Sequence, residues 1–372
     1  MKKFRAGTFV NQGYYKAFIP NKIYRQWQVE DMEIIKLLSR ADYLLGMLDT
    51  YSNRVNINRY LDMHIAKEAT QSSRIEGTQT NMEEAFMKKE DVSSEKRDDW
   101  EELQNYIQAM NEAVRLLDKL PFSSRLIKST HRTLLQGVRG EHKSPGEYRL
   151  SQNWLGGATI NDAKFVPPPC TAIGDLMSDL EKFANDDDIQ LPDLLKIALI
   201  HYQFETIHPF LDGNGRVGRL LITLYLVSKG LLGKPTLYLS DFFERNRDRY
   251  YEHLTLVREQ GDINQWLKFF LTGVIETAGK GVDTVKAISQ LKEDVDKRLI
   301  TLGRRSMDAG RIVERLYDNP IINATEVEQL TGKSKVTSYK LIADLERLGI
   351  LKPVTGKSRN KLYAFREYID LF

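Results

Sequence analysis

Apolar residues recur at spacings of three and four along most of the 372-residue chain, a pattern that predicts a mainly α-helical protein. Ile34, Ile35, Leu37, Leu38, Ala41, Leu44, Leu45 and Leu48 form the first stripe, a helix from Asp31 to Leu48 ended by a polar break over Tyr51 to Asn58. A second helix is expected from Arg59 to Ile75, with Gly77 placed to end it. Leu103, Ile107, Met110, Val114 and Leu117 predict a third between Trp100 and Leu120, and Phe122 to Leu135 a fourth. Leu194, Leu195, Ile197, Ala198, Ile200, Phe204 and Ile207 describe an amphipathic helix that stops near Pro209. Leu220, Leu221, Leu224, Tyr225 and Val227 begin a more apolar one. Trp266 to Ile275 is amphipathic, and Val282 to Leu302 reads as a charged helical connector.

Signals for strands are few. The segment to about Tyr24 mixes Gly, Pro and aromatic residues without a period, and reads as an extended arm; Asn81 to Asp98 reads as an exposed linker or short helix. Thr159-Ile160 and Phe165-Val166 flank an Asn-Asp turn before Pro167, Pro168 and Pro169, which predicts a short β-hairpin. Arg311 to Tyr317, Thr325 to Leu330 and Ser334 to Leu348 predict three short helices with Gly332 in a turn, followed by two apolar runs around a basic turn within Val354 to Phe365. That order resembles a winged helix-turn-helix, whose third helix would enter a DNA major groove.

The composition, 41% hydrophobic and 28% charged, is ordinary for a soluble protein, and the length allows two or three domains. A net charge of +3 is too small to imply a nucleic-acid or membrane partner by itself. Locally the balance changes: Lys333 to Lys361 holds eight Lys and Arg against two Asp and Glu. DNA is one partner such a segment fits; docking of a protein partner or homodimer formation is the other. The single cysteine, Cys170, excludes an intrachain disulfide, and no Cys/His set has zinc spacing. Lys2 and Lys3 lead into Arg5, Asn11, Gln12 and Lys16 rather than an apolar run, and no stretch approaches the roughly eighteen apolar residues of a membrane span. A cytoplasmic protein without membrane contact is expected.

Chemistry concentrates in twelve residues, His208-Pro-Phe-Leu-Asp-Gly-Asn-Gly-Arg-Val-Gly-Arg219, in the loop that opens the second of the two central helices. Glycines let backbone N–H groups approach an anion, and the positive end of a helix dipole favours one. Arg216 and Arg219, three apart, share a helix face and can reach successive phosphates with forked donors. Asp212 can hold a divalent cation through one carboxylate oxygen, as Mg²⁺ accepts. His208 is left as a base. Upstream, Ser72 and Glu76 lie four apart on one helix face, so a carboxylate projects from the last turn, where it invites a cationic partner such as Arg219.

The twelve-residue string resembles the Fic family motif, H-P-F-x-[DE]-G-N-G-R-x-x-R, at every position, and the resemblance covers roughly Lys22 to Gly279. It implies a Fic-type helical bundle that moves AMP from ATP to a Ser, Thr or Tyr hydroxyl of a target protein or of the chain itself. In that reading His208 is the base, Phe210 anchors the loop, Asp212 holds Mg²⁺, and Gly213, Asn214, Gly215, Arg216, Val217, Gly218 and Arg219 form the nucleotide-binding stretch. Ser72-Ser-Arg-Ile-Glu76-Gly77 is similar to the family's inhibitory motif, [ST]-x-x-x-E-[GN], which implies that Glu76 pairs with Arg219 and blocks productive placement of the γ-phosphate. Gly146-Glu-Tyr-Arg149 and the following hairpin and prolines resemble the family's flap, where Ala158, Thr159, Ile160, Asn161 and Phe165 would hold a target segment by strand addition. Tyr250 and Tyr251 match a segment that borders the adenosine. The expected division is a helical region over 1–110 carrying the inhibitory helix, a catalytic core over 111–279, a linker over 280–303 and a winged-helix domain over 304–372. An alternative function is a DNA-binding regulator whose Fic domain senses nucleotide without turnover.

Overall fold

The computed structural model describes residues 4–54, 57–138, 140, 142–354 and 361–372. Its N-terminal arm pairs with itself: β1 (Gly7–Asn11) and β2 (Lys16–Pro20) form an antiparallel hairpin in which Thr8 faces Ile19. The turn explains why this segment is not merely extended, since the Asn11 side chain accepts from the N–H of Gly13, which stands at φ 89°. β2 then reaches the flap region, its Phe18 N–H donating to the Val166 carbonyl at 2.9 Å.

Helix α1 (Met32–Arg54) outruns its predicted end at Leu48 because Tyr51 still packs on the core, with the Lys286 ammonium 5.1 Å from its ring centre. α2 (Leu61–Ile75), the four-residue α3 (Met82–Ala85), α4 (Arg97–Leu117) and α5 (Ser124–Leu134) follow near their predicted positions. α6 (Cys170–Asn185) is a helix that the periodicity above does not single out. At the centre lie α7 (Asp193–Ile207) and α8 (Asn214–Ser228). α7 is buried on all sides rather than amphipathic as expected, and several of its polar groups find partners inside the protein. Lys196 donates to the Asp186 carbonyl, Gln203 to the Asn21 carbonyl, and Ala198 accepts from the indole of Trp266. α9 (Ser240–Arg245), α10 (Arg247–Gln260) and α11 (Ile263–Ile300) complete this bundle. α11 is one unbroken helix across the expected boundary at 279, and its first half shares the main core with α1.

Beyond it come α12 (Ser306–Asp318), β3 (Ile321–Asn323), α13 (Ala324–Thr331), α14 (Lys335–Arg347), β4 (Lys352–Pro353), β5 (Leu362–Ala364) and α15 (Arg366–Ile369). The strands form an antiparallel sheet in the order β3-β5-β4. Most of the expected basic turn, residues 355–360, lies outside the described residues. A second core gathers Ile312, Leu316, Leu341, Leu345, Phe365 and Tyr368, and it also takes in Val285 and Ile288 of α11 and Ile57, Tyr60 and Met63 from the start of α2 and the turn before it. Residues 304–372 therefore do not close their own core. Arg59 pairs with Glu314 and Asp318, and Arg366 with Glu83, across the same junction.

In the flap, the strands expected at Thr159-Ile160 and Phe165-Val166 do not form. One antiparallel bridge, Leu155 to Phe165, closes the loop, and Ile160–Asp162 makes a 3-10 turn. The cause is Asp162, whose carboxylate accepts from the N–H groups of Ala158 and Thr159 and so curls the tip that a hairpin would extend. No helix among the described residues is long and apolar enough to cross a membrane.

Candidate active site

Between α7 and α8 the chain turns sharply through His208, one of the few non-glycine residues with positive φ, at 50°. The Asn214 side chain closes the turn, accepting from the Phe210 N–H at 2.8 Å and donating to the Phe210 carbonyl at 2.9 Å. Phe210 is fully buried and lies flat on the His131 ring, 3.7 Å between centres. His131 Nδ1 accepts from the Gly146 N–H, so Nε2 carries the proton and donates to the Asp212 carbonyl at 3.0 Å. Burial depresses the His131 pKa to about 4, which keeps that single tautomer neutral. Gly213, at φ 74°, then caps the start of α8, whose first amides have no partners within the helix.

Arg149, 1% exposed, directs its donors to main-chain carbonyls: His208 at 3.0 Å, Ser151 at 3.1 Å and Pro168 at 2.5 Å. Its own N–H donates to the Pro209 carbonyl. Asn153 donates to the Phe210 carbonyl, so both ends of the flap are tied to the His208–Arg219 loop.

His208 is partly exposed, while its Nδ1 is buried and has no protein partner among the described residues. Burial, and next the charge of Arg149, lower its pKa to about 4, so at neutral pH the imidazole is free to accept a proton. Glu205, almost one turn earlier, is buried with Oε1 unpartnered among the described residues, and its pKa rises to about 7. It lies where a side chain at Gly218 would be: a Cβ there would stand 2.1 Å from Glu205 Oε1, so the Glu205 carboxyl occupies the space this glycine leaves between α7 and α8.

Both arginines of α8 are already held. Arg216 donates to Glu102 of α4 at 3.1 Å and lies 3.8 Å from the Asp212 carboxylate. Arg219 donates to the Ser72 hydroxyl at 2.8 Å, the Ser72 carbonyl at 3.0 Å and Glu76 Oε1 at 2.7 Å. Burial alone would raise the Glu76 pKa, but the charge and hydrogen bond of Arg219 outweigh it and hold the carboxyl below its usual range. The Glu76 oxygen occupies space that glycine leaves, since a Cβ on Gly215 would stand 2.4 Å from it. Behind this contact Glu68, on the same face of α2, accepts from Tyr106 at 3.0 Å and Ser240 at 2.5 Å and fastens the helix to its neighbours. Asp212 is half-exposed, and among the described residues no three His, Cys, Asp or Glu gather as a metal site. A cation here would take one carboxylate from the protein, which suits Mg²⁺ completed by phosphate oxygens and water.

Some expected contacts are corrected. Tyr250 is buried, bonded through its hydroxyl to His201 at 2.9 Å and stacked on Phe243, so no face of its ring is open to a base; Tyr251, 39% exposed, has one. The Val217 side chain points into the core, and the Asn214 side chain shapes the loop, so each can meet a ligand only through its main-chain amide. Phe165 is buried beneath the Arg258 guanidinium, 4.0 Å away, and anchors the flap; Ala158, Thr159 and Asn161 stand exposed at its tip, with Ile160 half-buried. The roles of Arg149, His131, Glu102 and Glu68 are not evident from local sequence pattern. Only Arg149 carried a signal, the Gly-Glu-Tyr-Arg string.

Two family models match the chain in succession, the Fic/DOC family N-terminal model over residues 35–115 and the Fic/DOC family model over residues 121–226. Curated relatives include the protein adenylyltransferase Fic of Drosophila erecta, 32% identical over 155 residues, and that of Drosophila willistoni, 33% identical over 155 residues. Those alignments cover 41% of this chain and 28% of each relative, so the chain spans under a third of their length. Among solved structures, a Fic family protein from Desulfovibrio desulfuricans aligns over 92% of this chain and 98% of its own, with TM-score 0.56 and 18% identity. A Fic domain containing signaling protein from Bacteroides thetaiotaomicron aligns over 68% of this chain and 97% of its own, with TM-score 0.51 and 20% identity. With the loop at His208 and both arginines inside the second matched segment, and the helix bearing Glu76 inside the first, the chain belongs to the Fic/DOC family.

Proposed function

We propose that this protein transfers AMP from ATP to a Ser, Thr or Tyr hydroxyl of a target protein or of itself, and that Glu76 holds the activity down. The observation that carries this reading is the Glu76 carboxylate lodged against Gly215 at the start of α8 and bonded to Arg219: an anion sits on phosphate-binding machinery. His208 takes the hydroxyl proton as the oxygen bonds to the α-phosphorus. The bond from that phosphorus to the bridging oxygen breaks, and pyrophosphate leaves. The amides at the start of α8 stabilise the negative charge of the transferring group. Asp212 is the residue to hold Mg²⁺, which when bound neutralises phosphate charge. Tyr251 borders the base, and the exposed flap tip aligns the target.

The test is incubation of purified protein with Mg²⁺ and ATP labelled at the α-phosphate. Covalent label on the chain or on lysate proteins is expected, and its loss in His208→Ala. Label that persists in full in that variant removes His208 from the chemistry.

A second reading adds DNA to the partners. α14 turns Lys335, Val336, Tyr339 and Lys340 outward, a basic and partly apolar helix face of the kind a winged helix would lay in a major groove. A nucleotide-sensing regulator without turnover would have no use for a neutral imidazole at the phosphate loop.

A further inference from the structure

Both motif arginines are gripped by glutamates, yet the two grips differ in geometry. Glu76 approaches from the end of α2 and is partly exposed, with 37% of its side chain open, whereas Glu102 projects from the middle of α4 and its side chain is 10% exposed. Glu102 Oε2 meets only the NH1 end of the Arg216 guanidinium, at 3.1 Å. The NH2 end faces Asp212 at 3.8 Å, beyond hydrogen-bond reach, and Nε is buried without a partner among the described residues. A guanidinium is a rigid planar fork, so a carboxylate fastened to one prong fixes the direction of the other. The second prong is thereby held on the side of Asp212.

We infer that Glu102 is a positioning residue, which aims the second prong of Arg216 at the outer phosphates of ATP, and is not a second brake. The inference rests on the phosphate-site reading above. Glu102 need not leave for a nucleotide to bind, because it holds the NH1 prong and leaves the NH2 prong, on the Asp212 side, untouched; Glu76, lying against Gly215, stands where the phosphates must be placed for transfer.

The test measures binding of ATP and of AMP, each with Mg²⁺, by calorimetry in the Glu76→Gly background. AMP lacks the outer phosphates and serves as the internal control. Glu102→Ala should weaken ATP binding about tenfold, a loss of roughly 1.4 kcal/mol. AMP binding should stay as in the parent. Glu102→Gln, whose amide oxygen can still accept from NH1, should stay within about threefold of the parent for ATP. Combining Glu102→Ala with Arg216→Ala should weaken ATP binding no further than Arg216→Ala alone. Should Glu102→Ala fail to fold, Glu102→Asp, which withdraws the carboxylate by one methylene, is expected to weaken ATP binding selectively in its place. Unchanged or tighter ATP binding in a folded Glu102→Ala or Glu102→Asp overturns the inference, as does equal loss of ATP and AMP. A parent that binds AMP and ATP equally, or neither, overturns the phosphate-site reading itself and this inference with it.

Discussion

Arg149 donates from Nε to the His208 carbonyl at 3.0 Å, and with its other nitrogens it holds both ends of the flap. One buried cation thus sets the left-handed backbone of His208 and the place where the flap leaves the core. A lysine offers a point charge and cannot span three carbonyls in different directions. Arg149→Lys is expected to lower the AMP-transfer rate at saturating ATP by more than about tenfold while changing ATP affinity little, since the loss falls on the chemical step. Initial rates and equilibrium binding in the Glu76→Gly background check this. Loss of ATP binding alone, with the rate intact, contradicts the assignment.

Glu205 carries a pH signature. Burial raises its pKa from the ordinary carboxylate range to about 7, so between about 4.5 and 7 the folded protein binds a proton that the unfolded chain has released. Stability therefore falls as pH rises through that window, by no more than about 1.4 kcal/mol per pH unit. His64 and His201, held neutral when folded by burial that lowers both pKa values to about 3, act in the opposite sense in the wild type and variant alike. Subtracting the two profiles cancels them. Glu205→Gln should gain on the wild type in urea midpoint between pH 5 and pH 8, and parallel profiles count against a protonated Glu205.

The helical plan and the position of the His208–Arg219 loop are legible in the sequence because both rest on local order: apolar spacing for α1, α4, α7 and α8, and twelve consecutive residues for the loop. What stays hidden depends on distant partners. Glu102 and Arg216 are separated by 114 positions, and His131 lies 81 from the Asp212 carbonyl it supports, so neither pairing leaves a mark in local spacing. The flap departs from its sequence pattern for a different reason. Asn161-Asp162 looks like a hairpin turn, but Asp162 satisfies nearby amides with its own carboxylate and takes the tip out of strand geometry. Two adjacent tyrosines gave no means of telling which one faces inward; the His201 ring, bonded to Tyr250, decides it.

DNA binding by α14 predicts a steep dependence on salt, because released counterions drive it. Since the second core borrows Ile57, Tyr60 and Met63, the full chain is the proper subject. Reversing Lys335 and Lys340 to Glu should abolish binding to duplex DNA at low salt and leave AMP transfer unchanged. If the wild type fails to retard duplex DNA even at low ionic strength, α14 serves a protein partner instead.

The strongest expectation concerns Glu76. Its carboxylate takes the Arg219 prong that also touches the Ser72 carbonyl, and lies in the gap that Gly215 leaves at the head of α8. ATP entering that site would have to share or displace it, which leaves the α-phosphate out of line for attack. Glu76→Gly removes charge and side chain together and should raise Mg²⁺-dependent AMP transfer by well over about tenfold, the factor that roughly 1.4 kcal/mol of transition-state free energy represents. A surface carboxylate without this role would leave the rate almost unchanged. Two controls separate release of a brake from general loosening of α2. Arg219→Ala should lower transfer in the Glu76→Gly background, because the freed guanidinium is what the γ-phosphate gains. His208→Ala should cancel the increase entirely. Ser72→Ala offers a finer measure: it removes only the hydroxyl that accepts from Arg219 Nε, so it should raise transfer by less than Glu76→Gly does. A rate that does not move in Glu76→Gly at saturating ATP and Mg²⁺ would show that the Glu76–Arg219 contact restrains nothing, whatever the fate of His208 as the base.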